Sequence, residues 1–271
     1  MIFASDLDRT LIYTKKLIDD DYIKHIVLVE KYLGKELSFM TKNTIEKLKL
    51  INNKILFVPV TTRTTEQYNR IFGIKEEINP KYAVTSNGGV ILENGEISIE
   101  WNEIIKENIE NSTRASIVEK QFLKSFSDLS WINKMVFRDN LFFSVHFDEI
   151  NNNSKEELRN FENWIIKNQW HISLQGKKLY IVPNEVNKWS AISYIKDKEK
   201  KQKIISAGDS YLDYPVLINA NYSIGALHGE LKNLIDKNKI QQKHIVMSKK
   251  SGIEASEEIL DFVNDIVNCD I

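Results

Sequence analysis

The sequence predicts an α/β protein: a doubly wound parallel sheet interrupted by an inserted α+β unit. Three observations carry this. The apolar runs IFASDL (2–7), ILFVPV (55–60) and KIISAGDS (203–210) are near-continuous and alternate with helical patterns. Strands buried on both faces of a parallel sheet read that way. Between about 90 and 182 the texture changes to hairpins and alternating strands, as in an antiparallel meander. The strand–helix rhythm then resumes.

The elements follow in order. Residues 2–7 form a buried strand, and IVLVEKYLGKELSFM (26–40) alternates around Leu33-Gly34-Lys35 as a hairpin. Ile45, Leu48 and Ile51 place one apolar face on a helix over 41–53. The 55–60 strand stops at Thr61-Thr62-Arg63, and Thr64 with Gln67 has the spacing of a capping box. YAVTSNGG (82–89) is strand then turn. In the insert, Asn94-Gly95 marks a hairpin over 90–99. One long amphipathic helix is expected over about 102–126, followed by antiparallel neighbours in 133–148. A helix capped by Ser154, with Glu157 in the box position, precedes the strands HISLQ and KLYIVP. A helix follows Lys188. Then come the 203–210 strand, a helix over 212–219, strands at 222–226 and 244–247, and a final helix over 254–267. The charged run KDKEKKQK (196–203) mixes signs and reads as a solvated helix end. The expected domains are 1–89 with 183–271 as the core, and 90–182 as the insert.

Bulk properties remove several function classes. The 271 residues suffice for two compact units. Lys plus Arg (37) against Asp plus Glu (38) leaves a charge of -1, so neither nucleic acid nor a membrane surface is an expected partner. No apolar run nears the roughly 20 residues that cross a bilayer. The N-terminal stretch lacks a secretory pattern, and the single cysteine, Cys269, has no disulfide partner in the chain. A cytoplasmic location is expected, as a monomer or homodimer.

Ligands of open α/β sheets bind at the carboxyl ends of the strands. The first strand delivers Asp6 and Asp8 there, two carboxylates on one face that repel unless something makes use of them. Asp, Arg and Thr also suit a turn, so SDLDRT could simply be a strand that ends. The 55–60 strand delivers Thr61 and Thr62, the 82–85 strand Ser86-Asn87-Gly88-Gly89, and the 203–207 strand Gly208, Asp209 and, one turn later, Asp213. Lys188 opens the helix after the insert. Singly, Thr61 is a strand-end cap, Lys188 a surface charge and Arg63 a loop anchor. His146 and His171 lie in insert strands with no second His or Cys at ligand spacing, which argues against zinc. Trp101, Trp131, Trp164 and Trp170 read as core packing, with one available to stack on a sugar.

Together these residues resemble the haloacid dehalogenase-like phosphohydrolases. DLDRT (6–10) matches the first motif, Thr61 the second, Lys188 the third and GDSYLD (208–213) the fourth. The insert between the second and third motifs resembles the C2-type α/β cap of subfamily IIB, which holds the Cof-type, sucrose-phosphate, trehalose-phosphate and mannosylphosphoglycerate phosphatases. The resemblance implies a Rossmann-like core with a substrate-specificity cap. It also implies a Mg2+-dependent phosphatase of a small phosphorylated metabolite, such as a sugar phosphate. Asp6 would be the nucleophile that forms an aspartyl phosphate, and Asp8 the acid and then the base, with nearby carboxylates favouring its protonated form. Mg2+ would be held by the Asp6 side chain, the Asp8 carbonyl and the Asp209 side chain. Thr61, the Thr62 amide and Lys188 would hold the phosphate oxygens. Asp213 would orient Asp209, Lys188 or a metal-bound water, and Asn87 and Arg9 support the site. The chain departs from the family at Arg9 and Thr62, where glycine is common, and at Leu212, where asparagine is usual. A phosphomutase or phosphotransferase of the same superfamily, and a non-catalytic phosphate-binding module, are the alternatives.

Overall fold

The apolar N-terminal run becomes an interior strand of a parallel sheet. The computed structural model describes residues 1–270. β1 (Ile2–Ser5) is buried along its length. β2 (Ile26–Tyr32) and β3 (Lys35–Thr41) pair as the expected hairpin, turning where Leu33 and Gly34 both take positive φ. α1 (Lys42–Lys54) starts where the Thr41 hydroxyl accepts from the Thr44 amide, and it buries Ile45, Leu48 and Ile51. β4 (Leu56–Pro59) leads to α2 (Thr65–Tyr68), whose Thr64–Gln67 capping box forms as expected. α3 (Phe72–Lys75), β5 (Tyr82–Thr85), β6 (Val90–Glu93) and β7 (Glu96–Ile97) follow.

The chain then builds a separate unit over Ile99–Asn187. It comprises α4 (Ile99–Ile109), α5 (Ala115–Lys124), β8 (Ile132–Arg138), β9 (Phe142–Phe147), α6 (Asn152–Ile166), β10 (Trp170–Gln175) and β11 (Lys178–Pro183). Its strands form an antiparallel sheet in the order β10-β11-β9-β8. One sheet face packs Val145, Phe147 and Ile181 against Phe122 of α5 and Phe161 of α6, together with Trp131 and Trp170.

From Lys188 the first unit resumes with α7 (Lys188–Lys198), β12 (Ile204–Gly208), α8 (Tyr214–Asn219), β13 (Tyr222–Gly225), α9 (Glu230–Asp236), β14 (Ile245–Met247) and α10 (Ile253–Asp270). The parallel order is β14-β13-β12-β1-β4, with β1 pairing Ile2 to Ile204 on one side and to Leu56 on the other. A bridge between Val60 and Val84 brings β5 beside β4. Phe3, Leu7, Phe57, Ile205 and Ile224 meet Leu48, Ile259 and Val263 in the core.

Four expectations need correction. The unit boundary lies at 98/99 rather than 90, because β6 pairs with β5 and keeps the 90–97 hairpin in the first unit. It returns at 187/188 rather than 182. The helix expected over 102–126 is two helices. The break falls at Asn111, Ser112 and Thr113, whose short polar side chains compete with helical hydrogen bonds. There the Thr113 amide and hydroxyl donate to Asn168 at 3.2 and 2.9 Å, and the Trp170 indole donates to the Thr113 carbonyl at 2.8 Å. Finally, α6 is capped by Asn151, whose side chain accepts from the Ser154 amide at 2.8 Å, so Ser154 lies inside the first turn. α9 was not anticipated; its N-cap is Gly229, which carries no side-chain signal.

Candidate active site

Asp6 leaves the end of β1 with its amide still in the ladder, donating to the Ala207 carbonyl at 3.0 Å. The next turn is tight: the amides of Thr10, Leu11 and Ile12 all point to the Leu7 carbonyl. Arg9 stands in it at φ 63°, the left-handed region that favours glycine. The strain is held from the other half of the chain. His228 Nδ1 accepts from the Gly252 amide, so its Nε2 carries the hydrogen and donates to the Arg9 carbonyl at 2.8 Å. Arg9 in turn donates to the His228 carbonyl at 2.9 Å and lies 3.6 Å from Asp209.

Lys188 is 1% exposed, which removes the surface-charge reading. Its ammonium bridges Asp6 Oδ1 at 2.8 Å and Asp213 Oδ1 at 2.5 Å. The other Asp213 oxygen accepts from the Asp209 amide, the Ser210 amide and the Ser210 hydroxyl. Asp213 therefore orients both Lys188 and the Asp209 turn. Asp6 Oδ2 accepts from the Thr10 hydroxyl at 3.3 Å. Oxygens of Asp6, Asp209 and Asp213 lie within 4.8 Å of one another. Two glycines permit this closeness. A Cβ on Gly208 would stand 2.4 Å from Asp213 Cβ, and one on Gly229 would stand 2.2 Å from the Asp209 carbonyl oxygen.

The partner of Asp8 is the Arg63 guanidinium, not one of the carboxylates expected beside it. Both its oxygens accept from Arg63, from Nε and Nη2 at 2.7 Å each, and Arg63 Nη1 donates to Glu30 at 2.7 Å. Thr61 is fully buried; its hydroxyl accepts from the Arg63 amide, and its carbonyl accepts from the Asn87 amide at 3.0 Å. Ser86 and Asn87 both take positive φ there, folding the turn back towards β4. Thr61 and Thr62 stand beside β1 at the same sheet edge, and neither is hydrogen-bonded to Asp6. Sequence reasoning missed Glu30, His228 and Gly229. None carries a local signal, since each acts through residues distant in the chain.

The cluster holds excess negative charge. Burial and then Asp213 push the Asp6 carboxyl up to about 7, against the opposing pull of Lys188. Burial, Asp6 and Asp213 raise Asp209 well above the carboxylate range. Burial opposes the Lys188 charge, but Asp213 and Asp6 outweigh it and raise its affinity for a proton. An all-oxygen donor set with uncompensated charge fits a hard divalent cation such as Mg2+.

That charge has a measurable consequence. The folded state holds the Asp6 proton more tightly than the unfolded chain, so this group's contribution to stability is present at low pH. It is lost as pH rises from about 4 towards about 7. In EDTA, the loss of Tm between about pH 5 and about pH 8 should be larger in wild type than in Asp6→Asn, and Mg2+ should raise the wild-type Tm most at the higher pH. Parallel Tm curves for the two proteins would refute this.

The chain matches the family model for sucrose-6F-phosphate phosphohydrolase over residues 1–261. Its fold is similar to that of the sucrose-phosphatase of Synechocystis sp. PCC6803, solved in complex with sucrose and phosphate. The TM-score is 0.69 at 15% identity, covering 97% of this chain and 98% of that one. A phosphatase of the haloalkanoate superfamily from Bacteroides thetaiotaomicron is also similar, with a TM-score of 0.56 at 13% identity and coverage of 98% and 95%. No curated protein sequence matches the chain significantly.

Proposed function

We propose, from the premise that this chain belongs to the sucrose-6F-phosphate phosphohydrolase family, that it hydrolyses a small phosphorylated metabolite through an aspartyl phosphate, with Mg2+ as cofactor. It is a phosphoric monoester hydrolase of the haloacid dehalogenase-like superfamily, subfamily IIB. The observation that carries the finer reading is the buried Asp6 carboxylate, held at the end of β1 by Lys188 and Thr10.

Asp6 attacks phosphorus, the bond to the leaving oxygen breaks, and Asp8 gives that oxygen a proton. A water then attacks phosphorus, Asp8 takes its proton, and the Asp6 carboxylate is released. Lys188, Thr61 and the Thr62 amide balance the charge on the transferring group. Asp213 keeps Lys188 and the Asp209 turn in place. The Asp6 and Asp209 side chains with the Asp8 carbonyl would hold Mg2+, which neutralises phosphoryl charge when bound.

Residues 99–187 act as the substrate-specificity unit. In β8, β9 and β11, Lys134, Arg138, His146 and Lys178 alternate away from the helix-packed face. Burial and then Lys178, Arg138 and Lys134 lower the proton affinity of His146. This chemistry suits an anionic substrate such as a sugar phosphate. The enzyme acts in the cytoplasm as a monomer or homodimer; no helix among the described residues is long and apolar enough to cross a membrane.

A panel of phosphorylated metabolites assayed for phosphate release, with Mg2+ and with EDTA, tests the reading. Release from at least one sugar phosphate, lost in EDTA, is expected. Silence across the panel would overturn it.

A further inference from the structure

The Arg63 guanidinium is fixed from three sides. Its backbone amide donates to the Thr61 hydroxyl at 3.1 Å, and its carbonyl accepts from the Ser86 amide at 2.7 Å. Its head group forks onto both oxygens of Asp8, and its remaining Nη1 donates to Glu30. Glu30 is an unusual anchor. Its side chain is 3% exposed, against 15% for Arg63 and 45% for Asp8, so the anchor is buried while the held group is open.

A bulged hairpin puts Glu30 there. The β2–β3 ladder shifts register on both sides of the Glu30–Ser38 pair, and consecutive Val29 and Glu30 are both buried, which regular alternation forbids. Ser38 donates to the second Glu30 oxygen at 2.5 Å, completing the buried carboxylate's partners. Two carboxylates surround one guanidinium, so Arg63 brings no surplus positive charge to a phosphate. Its fork instead fixes the plane of the Asp8 carboxylate.

We propose that Arg63, anchored by Glu30 of the β2–β3 hairpin, is the positioning residue of Asp8 and sets its aim at the leaving-group oxygen. This rests on the phosphatase reading. Arg63 touches no reacting atom and works only through Asp8. Freeing Asp8 therefore hurts reactions that need a proton and spares those that do not.

The test uses 4-nitrophenyl phosphate, whose leaving group departs without a proton, and phenyl phosphate, whose leaving group needs one. Phenol release in the first turnover reports the phosphorylation step. Arg63→Met should slow it roughly 10–10²-fold on phenyl phosphate, with KM little changed, and only a few-fold on 4-nitrophenyl phosphate. In an Asp8→Asn background, Arg63→Met should add nothing, because the partner it positions is gone. Arg63→Met also strands a buried Glu30 charge and should lower Tm; the double variant Glu30→Met with Arg63→Met should recover Tm while keeping the leaving-group signature. Equal losses on both substrates, a further loss in the Asp8→Asn background, or recovery of both Tm and rate in the double variant would overturn the positioning role alone. A wild type that releases neither phenol would overturn the phosphatase reading and the role with it.

Discussion

Asp6→Asn eliminates phosphate release from every substrate, a loss of roughly 10⁴–10⁶-fold. An amide has no carboxylate oxygen to form an acyl phosphate, so no choice of leaving group or substrate concentration restores the rate. The variant stays folded. Asn is isosteric, its carbonyl still accepts from Lys188, and the replaced group is a carboxyl that burial and Asp213 already disfavour as an anion. Its metal-free Tm should match or exceed that of wild type. Phosphate-release assays with acid-quench trapping of phosphoenzyme check the claim. Wild-type turnover by Asp6→Asn would reduce SDLDRT to a strand that merely ends.

Asp8→Asn costs less and costs it selectively. With Asp8 as the proposed proton donor, its loss should slow phosphorylation roughly 10²–10⁴-fold for an alkyl or phenyl ester, and much less for 4-nitrophenyl phosphate. Hydrolysis of the aspartyl phosphate still requires a base. With 4-nitrophenyl phosphate the variant should therefore release nitrophenol in a burst and accumulate labelled phosphoenzyme. Asn also cannot accept the Arg63 fork with both atoms, since its amide nitrogen is a donor, so Arg63 keeps Glu30 but loses half of its grip. A steady-state loss equal for both esters, with no burst, would show that Asp8 is not the proton-transfer group.

The parallel sheet was legible because strands buried on both faces are apolar from end to end, and polar residues at their ends stand out. Asp6, Asp209 and Asp213 were readable this way, and the structure brings their oxygens together. Lys188 was readable only as part of a motif set; alone it has the features of any helix-start lysine. The misses share a cause. Glu30 sits in an alternating strand, where a charged residue normally faces water, and two bulges reverse that expectation. Gly229 matters because a Cβ would strike the backbone of Asp209, twenty positions earlier in the chain. The break after α4 is captured by Asn168 and Trp170, which no local window includes.

The pairing of Ile2 with Ile204 bears on how the protein is made. Translation at roughly 5–20 residues per second leaves roughly 10–40 s between the appearance of those two strands. Once β4 has been made it can cover one side of β1, but the other side waits for β12, an open ribbon of Ile, Phe and Ala able to pair with a foreign strand. The 99–187 unit, with its own aromatic core, is synthesised and can condense inside the same window. Lys188 and Asp209 emerge only afterwards to meet an Asp6 made at the outset. A nascent chain stopped anywhere inside the inserted unit therefore carries Asp6 without the lysine that holds it, and the buried cluster can assemble only once the last third of the chain has been made.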